Sequence, residues 1–192
     1  MEDQHFEPDI VCCLDVLRKG GIILYPTDTI WGLGCDATND AAVERIFELK
    51  RRPANKSMIV LVADESAVLR YVAAPPPDLS ARIPSDAKPT TVIYDGALGL
   101  APGVTDHKGA VAIRIVKERF CYSLLRRFGR PIVSTSANFS GSPAPRTFAE
   151  IDPELAALAD YVVHYRQNDI QPAEPSAVIA FDPQGEIVVI RP

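Results

Sequence analysis

Apolar residues recur along this chain in two periods, one typical of helices and one typical of buried strands. Ile10, Leu14 and Leu17 are three or four residues apart, which predicts the apolar face of a helix that ends before a pair of glycines. Residues 22–24 and 58–63 are continuously apolar, and such runs predict buried strands. The chain is therefore expected to begin with a helix that leads into a sheet, with the second run as a central strand.

The same two patterns predict further elements along the chain. Helical spacing predicts a helix that begins after Asn39 or Asp40, helices over 64–72 and 120–128, and a helix or turns over 151–158. Strands are predicted at 90–94, 110–116, 131–134 and 161–164, followed by a hairpin of 177–181 with 187–191. Because these elements alternate without regular βαβ units, they predict an α/β fold. We expect one domain over residues 1–192, with a twisted sheet of mixed parallel and antiparallel strands flanked by helices.

Residues 25–34 (YPTDTIWGLG) follow the first strand and carry a cluster of hydroxyl groups. Pro26 has no N–H to donate to a ladder, so we expect the chain to leave the sheet there and form an irregular loop. The side chains of residues 27–29 can hydrogen-bond the loop's own backbone, while Gly32 and Gly34 permit a positive φ or the close approach of another group. The loop is a candidate ligand-binding segment, and a plain strand-to-helix connector is the alternative.

Residues 25–34, 50–53 (KRRP) and 134–141 (STSANFSG) resemble, in order and spacing, motifs of the YrdC-like family of L-threonylcarbamoyladenylate synthases. The resemblance covers almost the whole chain. It implies a YrdC-like fold and a nucleotidyltransferase that forms threonylcarbamoyl-AMP and pyrophosphate from L-threonine, bicarbonate and ATP, for threonylcarbamoyladenosine in tRNA. ATP is then a substrate accompanied by Mg²⁺, with no metal-binding residue assigned. Threonylcarbamoyl-transfer proteins are the downstream partners that the resemblance implies.

Lys50 and Arg52 match the K-x-R motif of that family, which implies that they are the catalytic cations on the phosphates of ATP. Attack on an α-phosphate builds up negative charge, and fixed cations stabilise such charge. We expect both side chains at a solvent-accessible helix end, where compensation of the helix dipole is the structural alternative.

The resemblance also implies roles for residues along the rest of the chain. ATP-binding roles fall on Lys50, Arg52, Lys56, Asn138, Arg146 and Arg191, and threonine-binding roles fall on Thr29, Arg114, Ser136 and Ser176. We place Thr29 and Arg114 on opposite sides of one amino-acid pocket. A structural ion pair is the alternative for Arg114, and an ordinary charged strand end is the alternative for Arg191.

Three positions depart from the family pattern. Arg51 stands where glycine is usual, Ser57-Met58 where Pro-Leu is usual, and Ala87-Lys88 where Pro-Gly precedes Pro89. They keep open a paralogue with another carbamoyl-type substrate. The hydrogenase-maturation carbamoyltransferases are such proteins, although they resemble this chain in only one of their domains.

The net charge of −5 argues against non-specific coating of nucleic acid, which requires many cations facing phosphates. A double-stranded RNA or tRNA-binding module is therefore the weaker alternative, and we expect only weak contact, through clusters such as Arg126, Arg127 and Arg130. The four cysteines show no zinc spacing, which predicts reduced and mostly buried thiols. With an acidic N-terminus and no membrane-length apolar run, we expect a cytoplasmic protein without membrane contact.

Overall fold

The computed structural model describes residues 5–51, 58–76, 83 and 88–192. The described residues form five α-helices: α1 (Glu7–Arg18), α2 (Asp40–Leu49), α3 (Glu65–Tyr71), α4 (Arg119–Phe128) and α5 (Pro153–Ala157). Pro102–Val104 and Phe148–Glu150 form short 3₁₀ turns. The helices that the apolar spacing predicts are confirmed to within a few residues.

Nine strands of the described chain build one sheet. They are β1 (Ile23–Tyr25), β2 (Gly32–Gly34), β3 (Ile59–Val62), β4 (Thr90–Tyr94), β5 (Val111–Ile115), β6 (Ile132–Ser136), β7 (Tyr161–Val162), β8 (Ala177–Phe181) and β9 (Ile187–Arg191). Their order is β7-β1-β2-β6-β3-β5-β4-β8-β9. Three neighbouring pairs are parallel, namely β1 with β7, β3 with β5 and β4 with β8, and the others are antiparallel. The predicted mixed sheet is therefore confirmed, and β3 is a central strand.

The predicted irregular loop at residues 25–34 is shorter than expected, because its last three residues form β2. Gly32 and Gly34 are paired between β1 and β6, and neither has a positive φ. A Cβ at Gly34 would lie 2.6 Å from Cε1 of Tyr25 and 2.8 Å from the carbonyl oxygen of Val133. The Tyr25 hydroxyl donates to that same carbonyl, at 3.2 Å. Gly34 is thus required for the close approach of a tyrosine ring inside the sheet.

Local sequence signals set the helix ends. The side chains of Asn39, Asp64 and Glu118 accept from the backbone N–H three residues on, which caps α2, α3 and α4. Gly129 ends α4 in the left-handed region, with φ of 74°. Arg51 follows α2 with φ of 51°, a conformation that favours glycine and thus explains the glycine usual at this position in the resemblance. Pro53 of the 50–53 motif lies outside the described residues.

Helices α1 and α4 pack together on the sheet. The rings of Phe6 and Phe120 meet edge to face with centroids 5.8 Å apart, and the ring of Tyr165 packs against both. All four cysteines are free and only Cys12 is exposed, as predicted. In the part of the chain that the structure describes, no helix is long and apolar enough to cross a bilayer.

A buried carboxylate ties α1 to the chain after β7. Asp9 accepts hydrogen bonds from the Tyr161 hydroxyl at 2.6 Å and from the backbone N–H groups of His164 and Tyr165 at 3.0 and 2.9 Å. Burial raises the pKa of Asp9, but these hydrogen bonds outweigh it and hold the pKa below its ordinary value of 3.8. The ionised form of Asp9 therefore stabilises the fold.

We predict that Gly34→Ala lowers the free energy of unfolding by about 2–3 kcal/mol, because the added methyl group overlaps Tyr25 and the backbone of β6. Gly99→Ala is the control, since Gly99 has a positive φ but open space around it, so its cost is about 1 kcal/mol of backbone strain. Urea unfolding of both variants checks this. Equal losses would mean that space at Gly34 is not the constraint.

We predict that Asp9→Asn lowers the free energy of unfolding at pH 7 by about 1.5–3 kcal/mol, because the new amide group meets N–H donors. The folded pKa of Asp9 lies below the unfolded one. The ionised carboxylate therefore contributes its full stabilisation above pH 3.8 and loses it as the pH falls through the folded pKa. Because the variant lacks this group, its free energy of unfolding should fall less steeply with decreasing pH than that of the wild type. Urea unfolding from pH 7 to pH 2.5 measures both effects. Asp15→Asn, at an exposed position, is the control. If the free energy of unfolding of the Asp9 variant falls with decreasing pH as steeply as that of the wild type, the stabilising role of the Asp9 carboxylate is contradicted.

Candidate active site

A cleft of about 400 Å³ opens on one face of the sheet, where the end of the opening loop meets four neighbouring strands and the segment that enters β8. Polar groups that converge on it come from Thr29, Thr91, Arg114, Ser134, Thr135, Ser136, Ser176 and Arg191. The apolar part of the cleft wall is formed by residues such as Trp31, Met58, Ile59 and Val178. A concave site with a few convergent polar groups and apolar walls is the usual form of a small-molecule site.

Arg114 is the buried cation of the cleft. It stands on β5 between β3 and β4, and only 3% of its side chain is exposed. Its Nε lies 3.1 Å from Oδ1 of Asp28, whose side chain is 7% exposed. The alignment is not that of a hydrogen bond, and within the described part of the chain the solvent-shielded Nε and Nη2 of Arg114 have no hydrogen-bond acceptor. Arg114 is thus charge-compensated by Asp28 and also lines the cleft, where a guanidinium suits an anion.

The opening loop is fixed by hydrogen bonds among its own hydroxyl groups. Oγ1 of Thr27 donates to the carbonyl of Ile30 at 2.8 Å, accepts from the Thr29 N–H at 3.0 Å, and lies 2.9 Å from Oγ1 of Thr29. The predicted side-chain to backbone bonding of this loop is confirmed for Thr27, whereas the Thr29 hydroxyl contacts the Thr27 side chain and the Asp28 carboxylate faces Arg114 instead. As a result Thr29 is held with its side chain at the cleft.

A second group of polar side chains lies on the other side of the cleft. Oγ of Ser176 is 2.8 Å from Oγ1 of the buried Thr91, and the guanidinium of Arg191 donates from Nε to the Ser176 carbonyl at 3.0 Å. Arg191 also approaches Oγ of Ser176, at 3.4 Å. The last strand therefore contributes its arginine to the site rather than leaving it as a free strand end.

We expected Lys50 at a solvent-accessible helix end, but the residue is buried. Only 1% of it is exposed. Its ammonium group donates to the carbonyl oxygens of Ser136 and Asn138, and its own carbonyl accepts from the Ser140 N–H at 2.9 Å. The resulting positive charge lies directly under the Ser136–Asn138 loop. Lys50 therefore joins the end of α2 to that loop.

The other predicted site residues differ in position. Ser136 lines the cleft and donates to Oδ1 of Asn138, whose amide group donates to the carbonyls of Phe139 and Ser142. Asn138 thus supports the loop and is not among the cleft-lining residues. Arg146 is exposed, and it too is absent from the lining. Arg52 and Lys56 lie outside the described residues.

Two contributors to the site were not identified from the sequence. Asp28 was read only as a loop residue, although its carboxylate compensates Arg114 across the sheet. Thr91 was read only as part of a strand, although it supports Ser176. An acidic residue inside a hydroxyl-rich loop indicates a cationic partner elsewhere in the fold. The local sequence does not indicate which arginine is that partner.

The surface arginines that we named for RNA are already paired with carboxylates. Arg126 lies 3.1 Å from Asp64, Arg127 lies 2.6 Å from Glu7, and Arg130 pairs with Asp36. These ion pairs reduce the positive charge that the surface can offer to phosphates. Among the described residues, no group of three or more His, Cys, Asp or Glu side chains could hold a metal ion.

Two proteins of known name are similar to this chain in sequence over most of its length. It is 39% identical to the threonylcarbamoyl-AMP synthase of Stenotrophomonas maltophilia over 150 residues, which cover 77% of this chain and 81% of that protein. It is 35% identical to the protein of the same name from Xanthomonas campestris pv. campestris over 159 residues, which cover 81% and 85% of the two chains.

Solved structures share the fold. P. abyssi Sua5 complexed with L-threonine superimposes with a TM-score of 0.81 at 26% identity, over 95% of this chain and 53% of that one. The chain thus spans about half the length of that protein. E. coli YciO superimposes with a TM-score of 0.78 at 24% identity, over 95% and 87% of the two chains, which supports the fold alone. The Sua5/YciO/YrdC family model, described as telomere recombination, matches residues 15–192, and the chain therefore belongs to this family.

Proposed function

We propose that this protein is a threonylcarbamoyl-AMP synthase, which forms threonylcarbamoyladenylate and pyrophosphate from L-threonine, bicarbonate and ATP. The observation that carries the proposal is Arg114, a buried guanidinium in the wall of a hydroxyl-lined cleft. The names of the relatives and the L-threonine complex of P. abyssi Sua5 support the same reaction. Use of this adenylate for tRNA modification would place the enzyme in the cytoplasm.

On the threonine side, Arg114 binds the substrate carboxylate in the proposed complex, because a guanidinium can donate two parallel hydrogen bonds to a planar anion. Thr29, Ser136 and Ser176 surround it with hydroxyl groups that can bond the amino and hydroxyl groups of the amino acid. The apolar wall at Met58 and Ile59 excludes water from part of the cleft. These contacts orient the carboxylated amino group for attack on the nucleotide.

On the ATP side, the proposal relies on positive charge around the α-phosphate. Arg191 supplies a second cleft-lining cation, on the side of Ser176. Lys50 lies under the Ser136–Asn138 loop, where its charge polarises the loop backbone toward a bound anion. Arg52, Lys56, Asn138 and Arg146 remain predicted ATP-binding residues. Together they would stabilise the charge that builds up as pyrophosphate leaves.

The described residues do not fit a resident Mg²⁺ ion. Mg²⁺ prefers carboxylates, phosphates and water as ligands, and none of the described side chains that line the cleft is a carboxylate. The carboxylate nearest to the cleft cation, that of Asp28, is already opposite Arg114. No step of the proposed reaction is therefore assigned to a metal ligand of this chain.

The paralogue alternative also has a structural relative. Full-length HypF in its phosphate- and nucleotide-bound form superimposes with a TM-score of 0.81 at 26% identity, over 95% of this chain but only 28% of that chain. A different carbamoyl-type substrate is therefore the second candidate. The two functions differ in whether threonine is required, which makes them separable in one assay.

We predict that pyrophosphate release from ATP requires both threonine and bicarbonate, and that omission of either lowers it at least tenfold. Both compounds are needed to form the nucleophile that attacks ATP, so ATP alone should be turned over only slowly. A coupled pyrophosphate assay with each component omitted in turn measures this. Release that ignores threonine would reject the synthase and favour the paralogue.

We predict that Arg114→Lys raises the threonine KM about tenfold to hundredfold, while the ATP KM changes less than about twofold, because lysine keeps the charge but loses the fork. The variant should also unfold at a lower temperature, since Asp28 loses part of its partner. Arg126→Lys, a surface ion-pair residue, is the control. Lower stability with an unchanged threonine KM would assign Arg114 to the core alone.

A further inference from the structure

We propose that Thr27 is a positioning residue: it fixes the hydroxyl group of Thr29 as a hydrogen-bond acceptor for an N–H or O–H group of the substrate. This inference rests on the proposed function, because it concerns how the same cleft recognises its amino acid. Thr27 itself does not line the cleft and is only 1% exposed, so it can act on a ligand only through a neighbour.

The direction of the hydrogen bonds follows from counting protons. The Thr27 hydroxyl has one proton, and its contact to the Ile30 carbonyl at 2.8 Å requires that proton, because a carbonyl oxygen cannot donate. The 2.9 Å contact between the two threonine hydroxyls must then be donated by Thr29. The Thr29 N–H donates to the same oxygen at 3.0 Å, so Thr27 makes one bond as donor and two as acceptor.

The consequence at Thr29 is a fixed polarity. Its only hydroxyl proton points to Thr27, so the lone pairs of its oxygen are what it presents to the cleft. Arg114 offers only donors. A ligand that satisfies both must accept at Arg114 and donate at Thr29, as an amino acid does through its carboxylate and its amino or hydroxyl group. A carboxylated amino group retains one N–H, so the contact can persist through the reaction.

Thr27 is held from a second direction as well. Its carbonyl oxygen accepts from Nη1 of Arg166 at 2.9 Å, and Nε of Arg166 lies 2.6 Å from Oδ2 of Asp169. Arg166 has a φ of 66°, in the left-handed region that non-glycine residues rarely adopt. Backbone strain of this kind persists where surrounding contacts fix it, and it is concentrated at functional sites. The loop therefore has both its hydroxyl and its carbonyl locked before a ligand arrives.

A double-mutant cycle of Thr27→Val and Thr29→Val tests the inference. Valine keeps the shape and removes the hydroxyl, so Thr27→Val frees the Thr29 hydroxyl to turn its proton toward the ligand. We expect each single variant to raise the threonine KM about twofold to tenfold with the ATP KM unchanged, and the double variant to be no worse than Thr29→Val alone. Additive effects in the double variant would overturn the proposal.

Two matched variants exclude a merely structural effect. Thr27→Ser retains the hydroxyl, so the threonine KM should stay within about twofold of the wild type. Thr105→Val removes a hydroxyl that donates to the Pro102 carbonyl at 3.0 Å outside the cleft, and it should leave both KM values unchanged. A threonine KM raised as much by Thr27→Ser as by Thr27→Val would reject the role of the hydroxyl.

Calorimetry on the wild-type protein keeps the proposal testable if Thr27→Val does not fold. Threonine is compared with 2-aminobutanoate, which lacks the hydroxyl group, and with 3-hydroxybutanoate, which lacks the amino group. At least one analogue should bind several-fold more weakly to the wild type, and this difference should shrink in Thr29→Val. Equal binding of all three compounds would overturn the acceptor polarity. Failure of the synthase assignment would instead appear as pyrophosphate release independent of threonine.

Discussion

The cleft depends on one buried pair of opposite charges, Arg114 on β5 and Asp28 in the opening loop. A buried arginine without a counter-charge would cost several kcal/mol, and removal of one partner from such a pair commonly costs about 3–5 kcal/mol. Asp28 therefore allows a cation to exist on a central strand, and it ties the loop to that strand at the same time. The compensated guanidinium still lines the cleft, so a buried positive charge stands at the wall of the site.

The rest of the site follows from how close the opening loop can come to the sheet. Gly34 leaves room for the Tyr25 ring against β6, so β1, β2 and β6 lie together with the loop between β1 and β2 held against them. The Thr27 hydroxyl then fixes the loop by bonding the Ile30 carbonyl and the Thr29 N–H. These bonds form without a ligand, and a preformed site loses less free energy on binding.

The second wall is organised by a buried ammonium group. Lys50 caps α2 and donates to two carbonyls at the end of β6 and in the loop that follows it, so the helix end is joined to one wall of the cleft. This places positive charge behind the backbone of the Ser136–Asn138 segment and not in open solvent. A lysine in this position can affect anion binding without direct contact, since charge in a poorly solvated region is weakly screened.

The sequence by itself determined the elements, because their signals are local. Apolar periodicity located the helices and most strands, Asn39 marked the start of a helix, and alternation of helices with strands indicated a mixed sheet. Three separated motifs were enough to identify the family. The tertiary structure alone decided that residues 32–34 are a strand, that Lys50 is buried, and that Asp28 compensates Arg114. Each of these depends on a partner distant in sequence, such as Val133 for Gly34 or Ser136 for Lys50, and local propensity contains no information about which distant groups the folded sheet brings together.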